Sequence, residues 1–234
     1  MIPKIIHYCW FGNKTKSELV IKCILTWRKY MQDFEIIEWN EQNCDIEAAP
    51  NFVKEAYKSK KWAFVSDYFR LKALYEFGGI YLDTDVEIKR KMDNLLNNQL
   101  FMCFERKGYL CTAVIGAEKN QKDIFTFMNS YNEKEFNEIP NSKLMYDFLI
   151  SNDNVNISKE YVGQSYIIYP IDYFSPKDFY TGKLNITQQT YAIHHFDGTW
   201  KSSKQKSKDK ISKILYKLLG QKKFQRLRDF FKKD

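Results

Sequence analysis

A chain of 234 residues with a formal charge of +8, 44% hydrophobic and 17% aromatic residues carries enough apolar matter for one substantial core, which excludes a disordered protein and predicts one domain with a possible appendage. Its five cysteines, Cys9, Cys23, Cys44, Cys103 and Cys111, are odd in number and form no C-x-x-C pair, so a disulfide scaffold is excluded and reduced cytosolic thiols are expected. With no charged-then-apolar leader before Ile2 and no run of about 20 apolar residues, the chain reads as neither secreted nor membrane-spanning.

Residues 4–8 read as a first strand, broken at Gly12. Strand ends in open α/β sheets face the ligand crevice, so His7, Trp10 and Phe11 fall near any site on that edge. Mid-strand His7 is expected to be a satisfied core histidine, whereas Trp10 reads either as core or as a stacking platform. Over 16–31 the apolar residues Leu19, Ile24, Trp27 and Met31, widened by Val20, Ile21 and Leu25, predict a helix packed on the sheet. A second strand is expected over 34–39, a polar loop over 41–50 ending at Pro50, and a short helix over 51–60.

The stretch 62–87, WAFVSDYFRLKALYEFGGIYLDTDVE, organises the chain. It is apolar nearly all round to Phe77, as a buried helix should be. Ser66, Asp67 and Arg70 share one side of that helix, because residues three apart are neighbours on its surface. An Asp and an Arg on a buried helix either satisfy each other or are aimed at a polar ligand. Gly78 and Gly79 permit the left-handed conformations that close the helix and turn the chain into a strand over 80–82. Asp83 and Asp85 then sit where a buried strand ends. Two carboxylates there suit a hard cation such as Mg2+ or Mn2+ held against substrate phosphates; an isolated D-x-D is more often a solvated acidic turn.

The pattern S-D-x-x-R-x-x-x-L-x-x-x-G-G-I-Y-x-D-x-D in this stretch resembles the signature of the DXD-containing glycosyltransferases, the family of capsular polysaccharide enzymes, fungal mannosyltransferases and, more distantly, the glucosylating toxin domains. The resemblance implies an α/β GT-A fold with a mostly parallel central sheet flanked by helices. It also implies a nucleotide-sugar donor, a divalent cation and retention of anomeric configuration. Through the similar H-x-x-W-x-G of the first strand it implies that Trp10 stacks on the base. Asp67 and Arg70 would bind donor sugar hydroxyls, Ser66 would assist at the ribose or sugar, Tyr81 would join the donor-binding set, and Asp83 and Asp85 would bind metal.

Beyond Asp85, residues 86–89 alternate as an exposed strand would, and strands are expected over 100–105 and 111–117 around a turn at Lys107 and Gly108. Residues 109–113 read either as a pocket wall or as packing. Helical spacing recurs over 121–131 and 142–151. A strand over 191–196 then reaches Asp197 and Gly198. Because adjacent strand residues face opposite ways, only one of His194 and His195 is expected to enter the site, and His195 is slightly favoured as the metal ligand. This block resembles the family's H-H-x-x-G-S-W with Thr199 in place of Ser, and Trp200 could donate its indole N–H to a diphosphate.

Residues 201–234 hold 13 Lys and Arg against 3 Asp and Glu, leaving 24 basic and 26 acidic residues in 1–200. The basic character therefore belongs to the tail, and nucleic acid is excluded as a partner for the whole protein. Ile211, Ile214, Leu215, Leu218 and Leu219 follow helical spacing with lysines on the other face, and Gly220 interrupts. Such a helix reads as an interfacial element on an anionic membrane, or as one that packs on the domain or a partner. The expectation is a GT-A catalytic domain over 1–200 and a membrane-associating tail over 201–234. It would be a cytoplasmic enzyme, peripheral on the inner face of the cell membrane, that moves a hexose or N-acetylhexosamine from a donor such as a UDP-sugar to a lipid-linked glycan of capsule or surface polysaccharide. The alternatives are a toxin-like protein glycosyltransferase, a silent nucleotide-sugar or membrane-binding module, and, least favoured, a metal-dependent phosphohydrolase.

Overall fold

A computed structural model describes residues 1–150, 155–198 and 203–230. The elements are β1 (Ile5–Cys9), α1 (Glu18–Tyr30), β2 (Glu35–Trp39), α2 (Asn51–Lys58), α3 (Trp62–Phe77), β3 (Gly79–Leu82) and β4 (Val86–Ile88). They continue with β5 (Leu100–Arg106), β6 (Tyr109–Leu110), β7 (Val114–Ala117), α4 (Lys122–Asn129), α5 (Asn141–Leu149), β8 (Tyr161–Val162), β9 (Ile167–Tyr169), β10 (Ala192–His194) and α6 (Ser203–Phe230). The main sheet has the order β2-β1-β3-β7-β5-β9-β8, with β6 paired to β5. Strands β2, β1, β3, β5 and β9 run one way, and β7 and β8 the other. Helices cover both faces, and the fold is of the GT-A type.

Local chemistry sets these boundaries. Ser17 caps α1, its side chain accepting from the Val20 N–H, as an N-cap serine does for an otherwise unpaired helix-start donor. Gly78 (φ 67°) closes α3, donating its N–H to the Leu74 carbonyl. Gly79 (φ 111°) carries the chain straight into β3, where a Cβ would stand 2.6 Å from the Ile5 carbonyl oxygen. The four residues of β3 are all buried, as in a central strand covered on both faces. Ile80 and Leu82 join the core layer built around Trp27 of α1, and Tyr81 joins the opposite layer under α3.

His7 is a core histidine with both ring nitrogens engaged. Its Nδ1 accepts from the Trp39 indole N–H at 3.1 Å, and its Nε2 lies 2.7 Å from the Gly78 carbonyl. This pairing fixes the Nε2–H tautomer, which donates to Gly78 and ties β1 to the end of α3. Burial lowers the imidazole to about 4 against the opposing bond to Gly78.

Residues 86–89, expected as an exposed strand, behave otherwise: Val86 and Ile88 are fully buried. The strand β4 pairs antiparallel with β10 in a separate two-stranded sheet, and the indole of Trp27 donates to the Val86 carbonyl at 2.7 Å. The alternation was legible, but the burial comes from α1, with Trp27 59 positions before Val86, and from the distant partner strand β10. Short strands β8 and β9 also lacked a sequence signal. They are too brief for a period to show, and β9 is defined by its parallel register on β5.

All five cysteines are unpaired and buried. No described helix is long and apolar enough to cross a membrane. α6 breaks at Gly220 (φ 70°, ψ 166°), where the sequence placed an interruption.

Candidate active site

Three segments converge at the exit of β3. The N–H of Asp83 donates to the Ala113 carbonyl at 2.9 Å and that of Val86 to the Asp83 carbonyl at 3.0 Å, so the strand ends in a tight turn carrying both aspartates. Helix α3 presents Arg70 from the side. Its Nη2 lies 2.9 Å from Asp67 Oδ1 and 3.4 Å from Asp83 Oδ1, and its Nη1 donates to the Thr112 carbonyl at 2.8 Å. The guanidinium sits 4.6 Å from the centre of the Tyr81 ring, and the Tyr81 hydroxyl donates to Asp83 Oδ1 at 2.9 Å. Asp67 and Arg70 thus satisfy each other, and Arg70 also reaches Asp83 of the D-x-D motif.

Burial and charge compete in the protonation of this cluster. Burial pushes the Asp67 carboxyl up to about 6 despite the opposing Arg70 charge. Burial acts against the Arg70 charge too, but the carboxylates of Asp83 and Asp67 outweigh it and hold the guanidinium protonated.

The third segment is β10. Its partner β4 begins just after Asp85, so pairing of the two strands brings the late histidines to the motif. The main-chain N–H of His195 donates to the Asp85 carbonyl at 3.0 Å, and that of Asp197 to Asp85 Oδ2 at 2.8 Å. His194 Nε2 lies 3.5 Å from Asp85 Oδ1, and one ligand atom each from Asp83, Asp85 and His194 all fall within 4.8 Å of one another. His195, the residue favoured from the sequence, points away and pairs through Nε2 with Glu87 Oε2 at 2.9 Å. The alternation rule was right that only one histidine faces the motif; register on β4, which the sequence does not display, chooses His194.

The donor set of two carboxylates and one imidazole fits a divalent ion, carboxylates suiting Mg2+ or Mn2+ and imidazole tilting the set toward a transition metal. His194 Nδ1 is buried without a hydrogen-bond partner. Burial alone would lower this imidazole, yet Asp85, Cys111 and Glu105 pull it up to about 10. Surroundings that favour a proton so strongly favour a metal cation for the same electrostatic reason.

These residues open on a cavity of about 820 Å³. Trp10, Lys14 and Thr15 are among its lining residues, the Trp10 indole N–H donating to the Lys14 carbonyl at 2.7 Å. Ser66, Asp67, Arg70 and Tyr81 line it too, and Ser66 Oγ donates to the Trp62 carbonyl at 2.9 Å. Trp200 and Thr199 lie outside the described residues. Residues the sequence did not single out also line the cavity. Asn141, at the start of α5, is buried with Nδ2 3.5 Å from the Asp67 carbonyl and an unpaired Oδ1. Glu105, also buried, pairs with Arg106 at 2.8 Å. A polar residue at a buried helix start or strand end was the available signal for these two, and it is too common to pick them out. Tyr109, from the 109–113 stretch, lies 3.7 Å beneath the Arg106 guanidinium and does wall the cavity.

The scaffold is of the GT-A type, with the carboxylates of Asp83 and Asp85 following a central strand. Residues 17–102 match the family described as glycosyltransferase sugar-binding region containing DXD motif. The chain is 28% identical over 153 residues to inositol phosphoceramide mannosyltransferase 3 of Schizosaccharomyces pombe, across 62% of this chain and 42% of that protein. The chain thus spans under half the length of that relative. Among solved structures it resembles a glycosyltransferase involved in the glycosylation of the major capsid of PBCV-1 (TM-score 0.52, 14% identity, 89% of this chain and 98% of that one). It also resembles the PaToxG glycosyltransferase (TM-score 0.50, 20% identity, 63% and 69%). Both share its fold.

Proposed function

We propose that the protein is a metal-dependent glycosyltransferase that moves a hexose or N-acetylhexosamine, with retention, from a nucleotide-sugar donor such as a UDP-sugar to a lipid-linked glycan. The observation that carries this reading is the Asp67, Arg70 and Asp83 network, joined to Asp85 and His194 at the floor of one cavity. Asp83, Asp85 and His194 would hold Mn2+ or Mg2+. Bound there, the cation supplies charge neutralisation to a departing diphosphate. Trp10, in the cavity lining, would offer a face for the base, and by the family resemblance Trp200 would supply an N–H to the diphosphate. Asp67 and Arg70, locked by their mutual ion pair, orient the donor sugar through its hydroxyls, and Ser66 assists at the ribose or sugar. Retention would follow from acceptor attack on the face the leaving group vacates.

The mannosyltransferase relative is named for inositol phosphoceramide, and this supports a lipid-borne acceptor and adds mannose to the donors to be tried. A capsule or surface-polysaccharide role on the inner face of the cell membrane, reached through residues 201–234, is part of the same proposal.

The test is a panel of nucleotide sugars incubated with the purified protein and Mn2+, with released nucleoside diphosphate scored with and without chelator. Chelator-sensitive release from one donor is expected. No release from any donor, with no donor-dependent rise in melting temperature, would overturn the reading in favour of a silent binding module.

A further inference from the structure

The C-terminal helix α6, up to Gly220, turns a mixed side to the protein, on which Asp209, Ser212, Leu215 and Tyr216 are partly covered. Lys208, Asp209 and Ser212 line the main cavity, and Tyr216 stacks on Tyr180 with ring centres 4.5 Å apart and planes at 9°. The opposite side carries Ile211, Ile214 and Leu218, which are 59%, 49% and 76% exposed. A helix that only packs on its own domain would place these residues inward, because burying them is the main gain available to it. Beside the apolar strip, Lys210, Lys213 and Lys217 border a second cavity of about 340 Å³. Phe179, Phe196 and Ile214 give it apolar walls, and Asp197 and Asp209 are its acidic members. It shares Phe179, Phe196, Gly198 and Asp209 with the main cavity.

We propose that this helix is seated in an anionic phospholipid surface, with Lys210, Lys213 and Lys217 gathered on a lipid phosphate at the second cavity, and is at the same time a wall of the catalytic cleft. Charge complementarity selects the occupant. The tail holds 13 basic against 3 acidic residues, and an apolar strip flanked by lysines is the pattern of a helix lying in the plane of a bilayer interface. The polar residues Lys208, Asp209 and Ser212 then have a purpose of their own, since they border the space where an acceptor carried by the same membrane would arrive. The bilayer contact stands on the helix alone; its link to sugar transfer rests on the transferase reading above.

The five native cysteines are buried, so a thiol introduced by Leu218→Cys can be labelled selectively with a polarity-sensitive dye. Vesicles of phosphatidylcholine mixed with phosphatidylglycerol should shift its emission to the blue and carry the protein in flotation, while phosphatidylcholine alone should do neither. Changing Lys210, Lys213 and Lys217 together to Gln should weaken binding about 100-fold, at about 1 kcal/mol for each lysine and tenfold per 1.4 kcal/mol. If that variant melts early, Leu218→Asp should lose binding in its place. Binding to both vesicle types alike, no binding, or a triple variant within about threefold of the parent would overturn the proposal. So would a dye shift caused by self-association without vesicles, or stabilisation by inorganic phosphate with vesicles ignored. Asp85→Asn should bind vesicles as the parent does, so a failed transfer assay and a failed membrane contact are read separately.

Discussion

Arg70 and Asp83 face each other at 3.4 Å, guanidinium to carboxylate, across the junction of α3 and the exit of β3. The contact joins the helix half of the motif to its strand half. Because Arg70 also lies 2.9 Å from Asp67, one cation compensates two carboxylates in a setting where its own side chain is nearly inaccessible.

Removing that cation should therefore damage the fold as well as the site. Arg70→Ala leaves the Asp67 and Asp83 carboxylates without their partner, and breaking a buried pair from one side costs about 3–5 kcal/mol. Urea unfolding should show a loss of that size, and the double change Arg70→Leu with Asp67→Leu should recover part of it. An Arg70→Ala protein as stable as the parent would mean the pair contributes nothing net.

Asp85→Asn should lower donor turnover by at least about 100-fold, since metal neutralisation of a leaving group is worth several kcal/mol. The fold should be retained, because an asparagine oxygen can still accept from the Asp197 N–H. His194→Ala should weaken the Mn2+ dependence, seen as a higher metal concentration for half-maximal activity, whereas His195→Ala should not. Equal effects at the two histidines would contradict the β4 and β10 register.

Two buried groups should give the stability a pH signature of opposite sign. His7 is depressed to about 4 from an ordinary 6.5, so its contribution is present above about pH 6.5 and is lost as pH falls through 4. Asp67 is raised to about 6 from 3.8, so its contribution is present below about 3.8 and is lost as pH rises through 6. Each is on the order of 3 kcal/mol at full extent. Relative to the parent, His7→Gln should make stability fall more steeply with rising pH between 4 and 6, and Asp67→Asn should make it rise. Unfolding free energies measured across that window check both signs.

Gly79→Ala should be more harmful than a glycine change in an open loop. The residue sits at φ 111° and a Cβ would meet the Ile5 carbonyl at 2.6 Å, so either α3 or β1 must move. A loss well above about 1 kcal/mol is expected, against little at Gly108, where a Cβ meets nothing within 4 Å beyond the strain of its own positive φ. Thermal unfolding of the two variants makes the comparison.

The sequence by itself determined the motif-bearing half of the site. Helix period, the Gly78 and Gly79 switch and strand alternation are local properties, so they fixed which way Ser66, Asp67, Arg70, Tyr81, Asp83 and Asp85 fall. Tertiary structure alone decided the rest. His194 rather than His195 faces the carboxylates because β10 registers on β4, with His194 paired to Val86. Asn141 and Glu105 reach the cavity because α5 packs on β6, which pairs with β5. Which side of α6 faces inward is set by Tyr216 stacking on Tyr180. Each of these depends on contacts between residues far apart in the chain, and the amphipathic period of a helix states that it has two faces without stating which one the protein will cover.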